Sequence, residues 1–358
     1  MNPRQDVRFC TAADGTRIAV ATIGGGPPLV RASHWLSHVQ HDLESPVWQP
    51  WLRELSRHHT YVRYDQRGSG LSDRAFAGFS LDVWVRDLET VVDALGLARF
   101  PLFGMSQGGA IAIEYIRRHP ERVSHLVLVG AYGRGALKRE PTPPQRLEAE
   151  TLVNMIRVGW GSDNAAFREV FTNQFIPGGT PTQHRWWTDL QRLTASAEGA
   201  ARTLEEFQQV DVMDIAAGLR VPTLVMHSRD DNAVPFDEGR RLAAAIPGAR
   251  FVALESANHV LLEGEPAWPV FLDALRAFLA PDAAAAQGGR GTDGTTLTQA
   301  EAAVLELLAR GFDNHAIARQ LGKSEKTVRN QVSTIFDKLG VRTRAEAIVH
   351  AIGARAPR

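Results

Sequence analysis

Short apolar runs recur along the first 280 residues. VRFCTA and RIAVATIG flank Asp14-Gly15-Thr16, and PPLVRAS, HTYVRYD, RFPLFGM, VSHLVLVG, VPTLVMHS and ARFVALES follow. Each is rich in Val, Leu, Ile or an aromatic residue and is bounded by turn residues, which predicts strands. Between most of them the apolar positions are spaced three and four apart, as in SLDVWVRDLETVVDALG and GGAIAIEYIRRHP, which is the helical period. Strands alternating with helices predict an α/β fold: a mostly parallel sheet covered on both faces, opened by a hairpin. The rhythm breaks from Gly133 to Gly218, where several helical patterns rich in Trp, Phe and Leu carry no strand. An insertion of that size is expected to form a helical cap over a site; the alternative is additional core packing.

A second pattern begins after PDAAAAQGGRGTDGTT, Pro281 to Thr296, which lacks large apolar residues and reads as a flexible linker. The expected domains are therefore 1–280, a linker at 281–296, and 297–358. In the tail, Thr298 and Glu301 form a capping box before the apolar repeat Val304, Leu305, Leu307 and Leu308, and Gly311 ends that helix. NHAIARQLGKS predicts a short helix burying Ile317 and Leu321, then a turn at Gly322-Lys323. SEKTVRNQVSTIFDKLG places Val328, Val332, Ile335 and Leu339 on one stripe and Lys326, Asn330 and Ser333 opposite it. A short helix, a tight turn and an amphipathic helix with a cationic first half describe a helix-turn-helix. TRAEAIVHA supplies a fourth helix, making the tail a small all-α domain.

Composition changes this picture little. The 358 residues are 44% hydrophobic and 22% charged, and the formal net charge is zero. The charge is uneven: ten Lys/Arg against six Asp/Glu from Leu297 onward, on a mildly acidic body. A basic tail on a larger body suits a module that reads DNA. Cys10 is the only cysteine, which excludes an internal disulfide framework and any CxxC metal site. No apolar run approaches the ~18 residues of a membrane helix, and the start carries no secretory h-region. A cytoplasmic protein with no membrane partner is expected.

The stretch FGMSQGGA, Phe103 to Ala110, carries candidate chemistry. Ser106 has glycines two before and two after, a predicted strand on one side and a helix on the other. That context presents a nucleophile at a tight turn, where the new helix N-terminus and the Gln107 N–H can stabilise an oxyanion. A serine also needs a base and a group to orient it. LVMHSRDDNAVP offers Asp230 and Asp231 after one strand, and FVALESANHVLLEGEP offers His259 after another. The order Ser, Asp, His, each beyond a strand, together with YDQRGSGLSD, DNAVP and NHVLLEGEP, resembles the α/β-hydrolase superfamily from about residue 7 to 280. The resemblance implies Ser106 as nucleophile and His259 as general base then acid. It implies Asp231, four before Pro235, as the group that holds the imidazole.

Three departures from that family stand out. The His-Gly usual after the third strand is replaced by Val30-Arg31-Ala32-Ser33-His34-Trp35, so the second oxyanion donor is expected from His34 or Trp35. Ser228 and Asn258 replace glycines usual near the acid and the histidine. His34, His38 and His41 could place two imidazoles on one helical face, but no acidic or cysteine partners accompany them, so no metal and no cofactor is expected. They are expected as loop histidines near a pocket mouth. Trp160, Phe171, Phe175, Trp186 and Trp187 are the expected lining of an apolar ligand pocket under the cap.

The tail resembles the LuxR-type DNA-binding domain over nearly its whole length. The shared features are LT-x-x-E, a Gly before a short helix containing IA-x-x-L, S-x-K-T-V-x-N, and KLGV followed by R-x-x-A. The resemblance implies Lys326, Arg329 and Asn330 facing base edges or nearby phosphates, with Ser333 on the same face. It implies Thr327 and Lys338 on phosphates, and a homodimer on double-stranded promoter DNA. The expected function is a one-component regulator whose hydrolase-like body binds a small apolar, ester-like or lactone-like metabolite. The alternatives are a working serine esterase or lactonase that consumes its signal, and a hydrolase fold kept only as a scaffold.

Overall fold

The computed structural model describes residues 4–74, 78–162, 164–280, 299–309 and 312–339. The chain divides into two compact units, Met1–Ala280 and Pro281–Arg358. The expected linker at 281–296, the Thr298 cap, Gly311 and the fourth tail helix lie outside the described residues.

The first unit is built on one eight-stranded sheet in the order β1-β2-β4-β3-β5-β6-β7-β8. The strands are β1 (Asp6–Thr11), β2 (Arg17–Gly24), β3 (Pro28–Arg31), β4 (Thr60–Tyr64), β5 (Phe100–Met105), β6 (Val123–Val129), β7 (Thr223–Ser228) and β8 (Arg250–Leu254). β1 and β2 form the hairpin around Asp14-Gly15-Thr16, and β2 also runs antiparallel to β4. The other pairings are parallel. Side chains alternate between two cores, as the period of two requires. Phe103, Met105, Val127, Val129, Leu224 and Met226 pack on one face; Leu102, Leu126, Leu128 and Val225 pack on the other. α1 (Trp48–Leu55) and α10 (Ala267–Leu279) cover the first face; α2 (Leu81–Ala94), α3 (Gly108–Arg118) and α9 (Phe236–Ala245) cover the second.

The chain leaves β3 to one side for β4 and returns to its other side for β5. Ligand crevices in open parallel sheets lie at such reversals, beyond the carboxyl ends of the strands. Between β6 and β7 come α4 (Pro143–Gly159), α5 (Ala165–Phe175), α6 (Pro181–Thr194), α7 (Ala197–Gln209) and α8 (Met213–Gly218). The first two residues of α4 and α6 include proline, and Thr142 and Thr180 start them with capping boxes. Val153, Ile156, Trp160, Phe171, Trp187 and Leu190 from this stretch join the core face above β5 and β7.

In the second unit α11 (Gln299–Ala309), α12 (Asn314–Leu321) and α13 (Glu325–Leu339) close on Val304, Leu305, Leu307, Leu308, Ile317, Val328, Val332 and Ile335. Asp313 caps α12 through the Ala316 N–H at 2.8 Å, and Gly322 ends it at φ 63°, the left-handed conformation glycine adopts without strain. Leu321 is only partly buried, where the pattern predicted burial. It is the last residue before the turn.

Candidate functional site

Ser106 follows β5 directly and has φ 52°, one of three non-glycine residues in the left-handed region among the described residues. Such a conformation costs about 1–3 kcal/mol, so the surroundings must impose it. The Ser106 N–H is held by the Val129 carbonyl at 3.0 Å, and its own carbonyl takes the Gly109 N–H at 3.0 Å. Small neighbours make room for the turn. A Cβ on Gly104 would lie 2.8 Å from the Gly109 Cα, and one on Gly108 would lie 3.0 Å from the Ser33 carbonyl oxygen. The loop after β3 therefore packs directly on the first turn of α3. Trp35 and Gln107 line one small cavity with Ser106.

Asp231 lies in the loop after β7 and His259 in the loop after β8. The His259 Nδ1–H donates to Asp231 Oδ2 at 2.7 Å, and both side chains are buried. Asp231 Oδ1 accepts the Ala233 and Val234 N–H groups, each at 2.9 Å. Burial alone would raise the Asp231 carboxyl. The His259 charge and hydrogen bond, the nearby His227 and the Val234 N–H outweigh it and hold the carboxyl below its ordinary value. With Nδ1 committed to a carboxylate, the other ring nitrogen of His259, Nε2, is buried and has no hydrogen-bond partner among the described residues. Ser106 and His259 both line the cavity, so an unpartnered ring nitrogen and a strained serine share one space. Asp230, the other aspartate of that loop, is exposed.

His34 is buried and stacks on Trp48 at 5.2 Å. Its Nδ1 lies 2.5 Å from the Trp35 carbonyl oxygen, which can only accept, so Nδ1 carries the proton. Burial first, and the Arg31 charge second, push His34 well below its ordinary value. Its ring is neutral and its Nε2 is an acceptor, so only the backbone N–H of His34 could serve an oxyanion. His38 and His41 are not on a shared helical face with it: the His41 N–H donates to His38 Nδ1 at 3.2 Å, and the His41 ring stacks on Trp186 at 4.8 Å. No group of three or more metal-binding side chains occurs among the described residues.

The cavity itself is about 10 Å3, room for at most one water. Phe175 and Trp187 from the cap line it, together with Trp35. Trp160, Phe171 and Trp186 do not, which corrects the expected pocket lining. Trp160 stacks against Trp35 at 5.2 Å, Phe171 meets Trp35 edge-on at 6.2 Å, and Trp186 stacks on His41. A helical pattern shows which residues are buried, not which of them end at the cavity.

Three features were not read from the sequence. His227 on β7 is fully buried, donates from Nε2 to the Val234 carbonyl at 3.0 Å, and lies 3.5 Å from Asp231 Oδ2. A histidine inside the apolar run LVMHS was the available signal. The Phe175 carbonyl accepts the His259 and Val260 N–H groups at 2.9 and 3.1 Å, and Asn258 Oδ1 accepts the Gly178 N–H at 2.8 Å. These bonds fasten the α5–α6 connection of the cap to the loop that carries His259.

The sequence profile of the alpha/beta hydrolase fold matches residues 41–266. The chain belongs to the α/β-hydrolase family. The hydrolase profile starts after the segment Val30–Trp35, of which only Val30 and Arg31 belong to the sheet. The hydrolase part is 29% identical over 242 residues to the AB hydrolase superfamily protein YisY of Bacillus subtilis, covering 67% of this chain and 87% of that protein. It is 28% identical to a non-heme haloperoxidase of Rhodococcus erythropolis, covering 70% and 92%. An esterase from Exiguobacterium antarcticum superposes with a TM-score of 0.65 at 26% identity, covering 78% of this chain and 99% of the other. An enol-lactonase from Burkholderia xenovorans shares the fold at 22% identity and a TM-score of 0.62, covering 76% and 100%.

Residues 295–351 match the luxR family of bacterial regulatory proteins. A hydrolase domain joined to such a domain fits a transcription regulator. On α13, Lys326, Thr327, Arg329 and Asn330 are exposed while Val328 and Val332 are buried. Lys323 Nζ donates to Gln331 at 3.0 Å, and Arg329 Nη2 lies 3.4 Å from Glu325. The side chains of Ser333 and Lys338 lie outside the described part. No helix among the described residues is long and apolar enough to cross a membrane.

Proposed function

We propose that the protein is a ligand-responsive transcription regulator. Its hydrolase domain holds a small apolar, ester-like or lactone-like molecule at Ser106, and its C-terminal domain binds promoter DNA as a dimer through Lys326, Thr327, Arg329, Asn330, Ser333 and Lys338. The observation that carries this reading is a buried Ser106, His259 and Asp231 group under a closed cap, on the same chain as a luxR-family domain. Ligand sites usually measure about 300–1,000 Å3. A cavity of about 10 Å3 admits a ligand only if side chains of its wall move, and Phe175 and Trp187 are the two that α5 and α6 contribute. A ligand at Ser106 thus binds the open cap far better than the closed one, and such differential binding is what a switch requires.

The Asp231–His259 bond at 2.7 Å favours a second reading, a slow serine esterase or lactonase that cuts its signal. One experiment addresses both. The full chain is treated with a fluorophosphonate and analysed by denaturing mass spectrometry, with Ser106→Ala as control. Duplexes enriched from a random pool by the protein itself are then bound, at fixed salt, with and without the adduct. A Ser106 adduct that changes DNA affinity at least about fivefold supports the regulator. An adduct with unchanged DNA affinity sinks the switch and leaves the hydrolase.

A further inference from the structure

We propose a second small-molecule site in the hydrolase domain, separate from the Ser106 cavity, that takes a carboxylate on a short apolar body. The cavity measures about 480 Å3, within the ordinary range for ligand sites. It lies between the cap helices α4 and α7 and residues 232–235, the segment that follows Asp231. Leu152, Leu204, Phe207 and Val234 supply its apolar walls.

Arg139 supplies the recognition. Its guanidinium lies 5.2 Å over the Tyr132 ring, and both residues line the cavity. Among the described residues its one hydrogen bond runs from Nε to the Arg134 carbonyl at 2.8 Å. Its closest carboxylate oxygen, Glu238 Oε2, is 3.5 Å away and is also approached by Nε. The two terminal nitrogens thus have no acceptor among the described residues. Glu238 is shared, since its other oxygen takes Arg241 Nη1 at 2.6 Å, so one carboxylate faces two guanidinium groups and leaves the trio with a net positive charge.

Burial pushes the Arg139 guanidinium below its ordinary value, against the pull of Glu238 and Tyr132, while Arg134 and Arg241 push the same way as burial. The Arg139 side chain is 17% exposed and its terminal nitrogens open on the cavity, where an anion can take the place of water. A carboxylate matches the planar fork of its nitrogens in two parallel bonds. The remaining acids of the wall, Asp237 and Glu148, stand exposed at the rim, where water screens them, and Asp237 is paired with Arg240 at 2.9 Å. An occupant would touch Val234, whose N–H holds Asp231, and the cap at once. It would therefore bias both.

The test is calorimetric titration of the full chain with octanoate as the probe and octanamide as its neutral counterpart. Octanoate is expected to bind with a Kd below about 1 mM, and octanamide at least tenfold more weakly. Arg139→Gln should weaken octanoate at least tenfold and leave octanamide unchanged. Ala136→Phe, which keeps the guanidinium but narrows the cavity, should also weaken octanoate; it serves where Arg139→Gln fails to fold. Ser106→Ala should not alter octanoate binding. The proposal is overturned by no octanoate heat at about 10 mM. Equal affinity in a folded Arg139→Gln or Ala136→Phe overturns it as well. So does loss of binding in folded Ser106→Ala, which would place the acid in the Ser106 cavity.

Discussion

Replacing Asn258 by glycine should loosen the cap and speed chemistry at Ser106. Asn258 Oδ1 accepts the Gly178 N–H at 2.8 Å, and its Nδ2 donates to Glu265 Oε2 at 3.2 Å. Only the first bond joins the cap to the loop of His259; the second stays within that loop. The Gly178 bond is part-buried and neutral, worth about 0.5–1.5 kcal/mol. The other ties remain: the Phe175 carbonyl with two N–H groups, and the Phe175 ring 5.4 Å from the His259 ring. Opening should therefore become easier by about 1 kcal/mol, which raises the open population roughly fivefold while it stays minor.

A fluorophosphonate cannot fit a cavity of about 10 Å3, so its labelling of Ser106 reports the open population. The second-order labelling rate of Asn258→Gly should rise about fivefold, within roughly two- to twelvefold from the range of the bond. Asn258→Ala removes the same bond without the backbone freedom of glycine, so it should accelerate labelling equally. An unchanged rate in both folded variants would mean that the Gly178 bond does not hold the cap. A slower rate in both would mean that Asn258 positions His259 instead. Either result refutes the latch.

Asp231→Asn should keep the fold but leave His259 in the wrong tautomer, lowering any ester turnover by about 10⁴ while ligand-free DNA affinity stays the same; turnover near wild type would remove Asp231 from the mechanism. Lys326→Ala and Arg329→Ala should each weaken DNA binding and reduce the salt slope by about one; a mobility shift equal to wild type at matched salt would refute the assigned face. His34 and His227 are held below their ordinary value by burial first, so the unfolded chain takes up protons that the folded chain refuses. Their contribution to stability is full above the unfolded value near 6.5 and is lost as pH falls from there toward the folded values, by up to about 1.4 kcal/mol per pH unit for each. Denaturant titrations between about pH 5 and 8 read this directly, and a slope unchanged in His34→Gln would contradict a neutral, buried His34.

The sheet was legible because its central strands are buried on both faces. Runs such as RFPLFGM and VSHLVLVG are mostly apolar, and all the runs named from the sequence coincide with strands. The stripe Val328, Val332 and Ile335 was legible for the matching reason on a helix. Depth within the cap was not legible. Trp187 reaches the cavity while the adjacent Trp186 stacks on His41, and both sit in the same apolar pattern. Neither was the partner of a polar group. Nothing in the order of residues shows that Asn258 meets Gly178, 80 positions away, or that His227 lies against Asp231. Arg139 escaped notice because its use depends on which acceptors are already taken.

The departures from the family pattern acquire a common meaning from their contacts. Ser228 Oγ donates to the Asn258 carbonyl at 2.7 Å, and the Asn258 N–H is held by Ser256 Oγ at 2.9 Å. The end of β7, the loop of His259 and the cap are thus joined through two side chains that glycine could not supply. The third departure acts alike: Trp35, in the oxyanion segment, stacks on Trp160 of the cap. A fast hydrolase opens and closes on every turnover, and each bond of this kind makes opening less frequent. A switch gains from the same bonds, since a cap that stays shut without ligand keeps the two states apart in energy. Substitutions that look like losses for an enzyme are therefore what a holding site would need, and the labelling rate of Asn258→Gly bears directly on which of the two this domain became.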